Sequence, residues 1–511
     1  MSLLLLYFTA AATMLTVRYW VLPRINEWRP LVEQHLSEAV GAKVSIDEIS
    51  ADWSGLNPTL SVRQLAVHDS DGDALIQVPD AYAVVSWRTL LEFDLRLTRL
   101  EVNGIDLAAT RHSDGTISFA GHRLVAHSNE QIKLDRDTLA VRWLLDQGEI
   151  FIRQAQLRWT DQVRQAPVLN LSQIDLSLTN SLFRHELRLI ASLPESVGRR
   201  IELVVKTENS LSQLAPHPKR EAEIYLEIQE IQLSELAPWI DLPEVSGAFA
   251  ARAWIDVQQG LLGQTVLEIS GKRIALPLAV NEKAALFAQT GQMRLTGWLA
   301  DLLPEARWPL LARSANQQGF SFSATTSGLK IDSDLFEPSE LNLGDVTARA
   351  KIFKTSTGEL SIDSAQLDLK SPELAAQLQG SWVSDQATKL GRIDLTGLVS
   401  KAPVNKLHQY LTTMAPSDAR TFLRRALTQG ELLQTKVTLK GDLEHFPFDQ
   451  PGDTGVMRFD GQYRGMSVIY DPSGPSEPNW PQLTQAQGTV VVDQFSLNLQ
   501  AERAALIDSS G

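Results

Sequence analysis

At 511 residues the chain is longer than one hydrophobic core usually supports, so it is either several domains or one elongated array. Charged residues make up 21% and aromatics 7%, which excludes a disordered composition, and the net charge of −14 argues against nucleic acid, whose phosphates need clustered Lys and Arg. The absence of cysteine excludes disulfides, thiolate metal sites and cysteine nucleophiles, and fits either a reducing cytosol or a periplasmic protein.

Ser2 to Leu22 is nearly all apolar, with Arg18 its one charge; at 1.5 Å per residue it spans about 30 Å, one hydrocarbon core. Leu3, Leu4, Leu5, Leu6, Leu15 and Val17 make its body, and Tyr19 and Trp20 suit a membrane interface where Arg18 would snorkel. A single-pass anchor over residues 1–23 is expected, with a cleaved signal peptide or a core helix as alternatives. No basic start precedes Leu3, and Ala10–Ala12 comes too early for a cleavage site. Arg18, Arg24 and Arg29 follow the segment, which by charge alone would place the body in the cytoplasm. Pro23 to Gly41 then reads as an amphipathic helix with Ile25, Trp28, Leu31, Val32, Leu36, Ala39 and Val40 on one face, covering a sheet end or lying on a membrane.

From Val44 a two-residue period dominates. Leu60-Ser-Val-Arg-Gln-Leu-Ala-Val67 places apolar residues at 60 and 62, then at 65 and 67. The step of three between the pairs calls for a β-bulge or a strand changing its packing partner. The pattern returns at Leu95/Leu97/Leu100/Val102, Leu169/Leu171/Ile174/Leu176/Leu178, Leu226/Ile228/Ile231/Leu233, Leu341/Leu343/Val346/Ala348 and Leu360/Ile362/Ala365/Leu367, with looser copies over Ile150–Leu157 and Val490–Leu497. About five strict copies stand against roughly two expected by chance. One strand type is used repeatedly.

Asp71-Gly72, Asn103-Gly104 and Asp114-Gly115 mark hairpin turns. Short helices are expected near Asp137–Leu145, Ser234–Trp239 and Trp298–Leu311, and two more over Pro403–Leu427, where Pro416 and Ser417 cap the second and Gly430 ends it. The strand-like end at Val490–Leu506 has no cap, so an open sheet edge is expected there and the chain reads as the front of something longer.

Chemistry-bearing motifs are weak. Asp69-Ser-Asp-Gly-Asp73 begins like a calcium loop, but position twelve is Asp80 rather than glutamate. His112-Ser113-Asp114 is adjacent in sequence, whereas catalytic triads are assembled from distant segments. The histidines have no metal spacing, and phosphate loops, dinucleotide fingerprints and nucleophile elbows are absent. No cofactor, metal or catalytic residue is expected. What remains is a mainly β chain: a long antiparallel sheet with few helices, which must stack as sandwiches, close into a barrel, or curl into a groove suited to acyl chains.

Family texture bears on that choice. Arg18-Tyr-Trp-Val-Leu-Pro-Arg-Ile25, Gly41-Ala-Lys-Val-Ser-Ile46, Ala51-Asp-Trp-Ser-Gly-Leu56, Trp143-Leu-Leu-Asp-Gln-Gly-Glu-Ile150, Leu157-Arg-Trp-Thr-Asp161, Leu439-Lys-Gly-Asp442, Phe446-Pro-Phe448 and Asn479-Trp-Pro481 resemble the YhdP-type members of the AsmA-like family. The resemblance implies an inner-membrane anchor at 1–23, a chorein-like start at 24–125, a repeated β-groove at 126–402, a helical insertion at 403–430 and further groove strands at 431–511. It also implies a periplasmic body that passes phospholipid toward the outer membrane and supports its barrier, and a longer natural chain. In that reading Leu60, Val62, Leu95, Leu97, Leu169, Leu171, Leu226, Ile228, Leu341, Leu343, Leu360 and Ile362 contact acyl chains. Within the opening repeat Leu60 and Val62 would face lipid, and Leu65 and Val67 protein. The competing expectation is a non-catalytic assembly factor of closed sandwiches.

Overall fold

A computed structural model describes residues 8, 12–40, 43–54, 57–68, 74–89, 95–119, 122–124, 147–181, 184–207, 221–241, 244–258, 261–277, 284–298, 319–354, 360–384, 390–413, 415, 417–446, 448, 450–469, 482–494 and 496–507. The possible calcium loop, the Asp71-Gly72 turn, the helix expected near Asp137 and residues 299–318 lie outside them. The chain is mainly β and divides into two compact units, Met1–Leu242 with Arg252–Leu261, and Pro243–Ala251 with Leu262–Gly511.

The first unit holds β1 (Lys43–Ser45), β2 (Glu48–Ser54), β3 (Asn57–His68), β4 (Ala74–Val85), β5 (Leu97–Asn103), β6 (Asp106–Arg111), β7 (Ile117–Phe119), β8 (His122–Leu124), β9 (Glu149–Asp161), β10 (Leu169–Asn180), β11 (His185–Ser192), β12 (Arg200–Thr207) and β13 (Glu221–Gln232). β14 (Ser246–Gln258) is divided, its residues from Arg252 belonging here. Pairing is antiparallel except at β9, to which β5 and β6 both run parallel. Asn103-Gly104 is therefore no hairpin. Gly104, at φ +70°, kinks one continuous strand line and donates its N–H to Arg153 O at 2.9 Å. Asp114-Gly115 does reverse the chain, joining β6 to β7, and the Asp114 carboxylate is spent accepting the Thr116 N–H.

The N-terminal helix Arg29–Val40 lies on the first strands, as its amphipathic spacing dictates. Ile25, Val32 and Leu36 pack on a cluster of Val44, Ile46, Ile49 and Val67, while Trp28 and Leu31 stay exposed. Asn26, Glu33 and Ser37 accept the backbone N–H groups of Ile49, Ile46 and Val44. Helix side chains thus occupy donors of the β1/β2 edge that would otherwise seek another strand. Among the described residues no helix is long and apolar enough to cross a membrane. Leu3 to Leu6 lie outside them.

The second unit holds β15 (Leu261–Pro277), β16 (Ala285–Trp298), β17 (Phe320–Asp332), β18 (Glu340–Lys354), β19 (Leu360–Lys370), β20 (Ala375–Val383), β21 (Arg392–Pro403), β22 (Leu427–Asp442), β23 (Val456–Val468), β24 (Gln482–Asp493) and β25 (Ser496–Ile507). Each pairs antiparallel with the next. Between β21 and β22 come a 3-10 segment, Val404–Tyr410, and a helix, Ser417–Ala426. That helix passes into β22 at Leu427, so Gly430 does not end it; Gly430 sits in the strand at φ +117°, against the Met466 backbone. The Val490–Leu497 copy is not one strand but the hairpin of β24 and β25, turning between Asp493 and Ser496.

The step of three has a backbone cause. Gln64, Gln154, Gln173, Glu230, Gly344 and Ser364 each lie between the two apolar pairs of a repeat, and each has positive φ. Such a residue absorbs the odd position, so the apolar residues on both sides keep one face. Val62, Leu65 and Val67 accordingly pack on one face, Val67 buried under the N-terminal helix and Leu60 and Val62 half-buried. In the first unit these breaks line up. Gln64 falls opposite Pro79, which has no N–H to leave unpaired; Pro79 lies against Gly104, and Gly104 bonds the residue before Gln154. The Gln154 N–H goes to the Asp175 carboxylate at 2.9 Å, two residues past Gln173. Glycine at position 64 should leave the melting midpoint unchanged or slightly higher, whereas Gln64→Val, β-branched at φ 47°, should destabilise by about 1–2 kcal/mol. Thermal melts followed by circular dichroism compare the two.

Candidate functional site

The pairing registers line up apolar side chains strand by strand. In the first unit one row runs Ile49, Val62, Ala81, Val102, Ile152, Leu176, Leu189, Leu203, Leu226, each opposite the next. Two residues along, a second runs Ala51, Leu60, Ala83, Leu100, Ile150, Leu178, Leu187, Val205, Ile224. Beyond the line of breaks a third joins Val44, Val67, Ile76, Leu107, Leu157 and Leu171. Of the nine residues in the first row only Ile49, beside the helix, is buried; the other eight are half-buried. Inward residues of a closed sandwich would be buried throughout. The face is apolar and incompletely covered.

The opposite face is polar and paired. Glu101 binds Arg99 and Arg153, Glu202 binds Arg188 and Arg200, and Glu227 binds Arg252. Arg99 also lies over the Phe151 ring, 4.6 Å from its centroid. Burial pushes Glu227 up, but hydrogen bonds from Arg252 and Tyr225 outweigh it and hold the carboxyl below its usual range. Burial, reinforced by that carboxylate, raises the Tyr225 phenol.

The second unit repeats the apolar row as Ile269, Met293, Ala324, Ala348, Leu367, Leu378, Gly397, Val437, Phe459, Val492, Leu497. Here the face is roofed at one place. The helix Ser417–Ala426 carries Ala419, Phe422, Leu423 and Ala426 along one stripe, and with Leu407, Tyr410 and Leu411 it stands over β22 to β25. Between roof and sheet is a cavity of about 670 Å³, within the ~300–1,000 Å³ of small-molecule sites. Its walls include Leu427, Leu432, Met457, Phe459, Met466, Val490, Val492, Leu497 and Leu499, and its polar members are Tyr410, Thr435 and Gln494. Gln494 already donates to Phe448 O at 2.7 Å and Thr435 to Leu433 O at 3.4 Å. Burial holds the Tyr410 phenol above its usual range, with the Glu373 charge adding. The space is lined almost wholly by apolar side chains and is covered on one side by the roof.

Compared with protein-family models, the chain matches the family described as YhdP protein over residues 1–302 and 309–510. The chain belongs to the YhdP family. No curated protein and no solved structure matches it.

Against this YhdP-family face, the residues singled out in sequence fall unevenly. Leu60, Val62, Leu171 and Leu226 stand in its rows, and Ile228 is opposite Ile201. Leu169 faces Trp159. Leu95 is exposed and precedes β5, while Leu97 is 6% exposed, its N–H held by Gln147 Oε1 at 2.7 Å. Leu341 is buried opposite Ile331, Leu343 is half-buried, Leu360 lies exposed at the start of β19, and Ile362 joins Ile352 and Trp382. In the N-terminal segment Leu15, Tyr19 and Trp20 are exposed and Val17 half-buried, with Arg24 over the Trp20 ring. The roof coincides with the helices expected over Pro403–Leu427; its apolar stripe at 419, 422, 423 and 426, the signal for a covering face, is not among the residues singled out. Among the described residues no group of acids and histidines could hold a metal.

Two outcomes follow. Ala419→Phe points into the cavity and should change stability by less than about 1 kcal/mol, whereas Ala426→Phe, at a fully buried position, should cost about 1–3 kcal/mol or more from overpacking; thermal melts of the two variants decide. Burial and Arg424 also push the His408 imidazole below 6.5. The unfolded chain then takes up the proton first, so the stability this group contributes is complete above pH 6.5 and is lost as pH falls toward its lower folded value. Hydrogen exchange in the roof should quicken over that window, and less so in His408→Gln.

Proposed function

We propose that this chain carries phospholipid along its apolar face between the inner and outer membranes, with acyl chains on the rows and headgroups at the open side. The N-terminal segment anchors it in the inner membrane and the body occupies the periplasm. No bond is made or broken. Transfer is diffusion over a surface that keeps hydrocarbon out of water at every step. The observation that carries this is the half-buried state of eight consecutive row residues from Val62 to Leu226. YhdP-family membership supports it, and so do the exposed Tyr19, Trp20 and Trp28 beside Arg18 and Arg24, a mixture suited to a lipid interface.

The test uses half-buried positions. Leu97 is unsuitable because a charge at so buried a site would unfold the strand. Leu203→Asp should lower phospholipid transfer between vesicles by about tenfold or more, since a charge met by hydrocarbon costs at least ~1–3 kcal/mol, while the far-ultraviolet spectrum and melting midpoint stay near those of the parent. A photo-crosslinker at Ile152 should trap phospholipid and one at Arg188, on the opposite face, should not. Protein adducts alone at Ile152 would leave the assembly-factor reading in its place.

A further inference from the structure

The roofed cavity differs from the open face in how it is closed. Phe459, Val492 and Leu497 belong both to the apolar row and to the cavity wall, so the row runs into the cavity. The roof meets the wall through apolar groups on its inner side. Its outer side is held by ion pairs, and the helix itself by one carboxylate. Glu337, in the turn between β17 and β18, reaches Arg420 at 2.9 Å and Arg424 at 3.3 Å, two arginines one helical turn apart. Thr413 N–H to Leu335 O, 2.7 Å, joins the same turn to the start of the roof, and Lys406 pairs with Glu373.

We propose that the segment Val404–Ala426 is a lid over a chamber for a single lipid acyl chain, and that Glu337 is its latch, holding Arg420 and Arg424 and keeping the lid down on the chain. This rests on the lipid-carrying reading and adds a controlled station to it. Size and lining fit one apolar chain: the volume is about 670 Å³, and of the polar groups on the wall Thr435 and Gln494 are turned to neighbouring backbone oxygens. The headgroup stays outside, because among the described residues no charged side chain lines the chamber. The latch is exposed, the Glu337 side chain being 60% accessible. An exposed ion pair holds weakly and exchanges quickly, which suits a lid that must open for each chain. Phe422 and Leu423, on the helix face over the chamber, touch the chain; Glu337 acts only through the arginines.

Full-length protein is mixed with vesicles of phosphatidylethanolamine and phosphatidylglycerol, carrying a photo-crosslinking residue at Phe422 or, separately, at Leu203 on the open face of the first unit. Lipid adducts at both positions are expected. Glu337→Arg should reduce the Phe422 adduct several-fold and speed hydrogen exchange over residues 417–426, leaving the Leu203 adduct unchanged. Reversing the partners in that background, Arg420→Glu with Arg424→Glu, should restore both readouts, which separates a latch from a damaged fold. An adduct at Leu203 without one at Phe422 overturns the chamber while transport stands. An adduct at Phe422 without one at Leu203 overturns transport along the face. If Glu337→Arg leaves adduct and exchange at the roof unchanged, the latch is overturned.

Discussion

A β-strand keeps an apolar face only while its side chains alternate, and one extra residue sends everything beyond it to the other side. Here a residue of positive φ takes up the extra position at Gln64, Gln154, Gln173, Glu230, Gly344 and Ser364. The left-handed conformation costs about 1–2 kcal/mol at each non-glycine position. Without it, Leu65 and Val67 would leave the cluster beneath the N-terminal helix, at about 1.5–3 kcal/mol apiece. The bulge is the cheaper choice, and it binds its neighbours to the same level. A break in one strand leaves unmatched backbone groups opposite it, met by Pro79, which has no donor, by Gly104, which bends, and by the Asp175 carboxylate.

Because the breaks preserve facing, the rows run unbroken from Ile49 to Leu226 and from Ile269 to Leu497. The charged side is organised by the same registers, which set Glu101 beside Arg153 and Glu202 beside Arg188. Each such exposed pair adds little stability. Their larger effect is to make that side costly to bring against hydrocarbon, so the two faces differ sharply in what they accept.

Much of this was legible in the sequence. The two-residue period located most strands, and the step of three marked six places where φ turns positive, though the Leu95–Val102 copy has none. Of the two readings of that step, a β-bulge and a change of packing partner, the backbone irregularity is the one found, and it keeps Val62 and Val67 together. Pattern alone could not place Leu97, which is buried and whose N–H is held by Gln147, fifty positions away. Nor could it separate a turn at Asn103-Gly104 from a kink, because a parallel partner, β9, decides between them. The roof was foreseen as helix, but a cavity beneath it is a property of four strands meeting that helix, and no local signal carries it.

An apolar row has a consequence for movement. On the proposed lipid-carrying reading, each methylene that leaves one Leu or Val reaches another of the same kind, so neighbouring positions would hold a chain with similar free energy and the row sets no direction. Direction or control must come from a place where the surroundings change. Along the described face of the second unit that change occurs under Val404–Tyr410 and Ser417–Ala426, where an open surface becomes a roofed one. Two kinds of force meet there. Apolar contact would draw the proposed lid and an acyl chain together without preferred geometry, whereas the Glu337 carboxylate engages two guanidinium groups only when the helix lies in one position. A weak but directional contact outside a strong but undirected one defines a closed state without locking it.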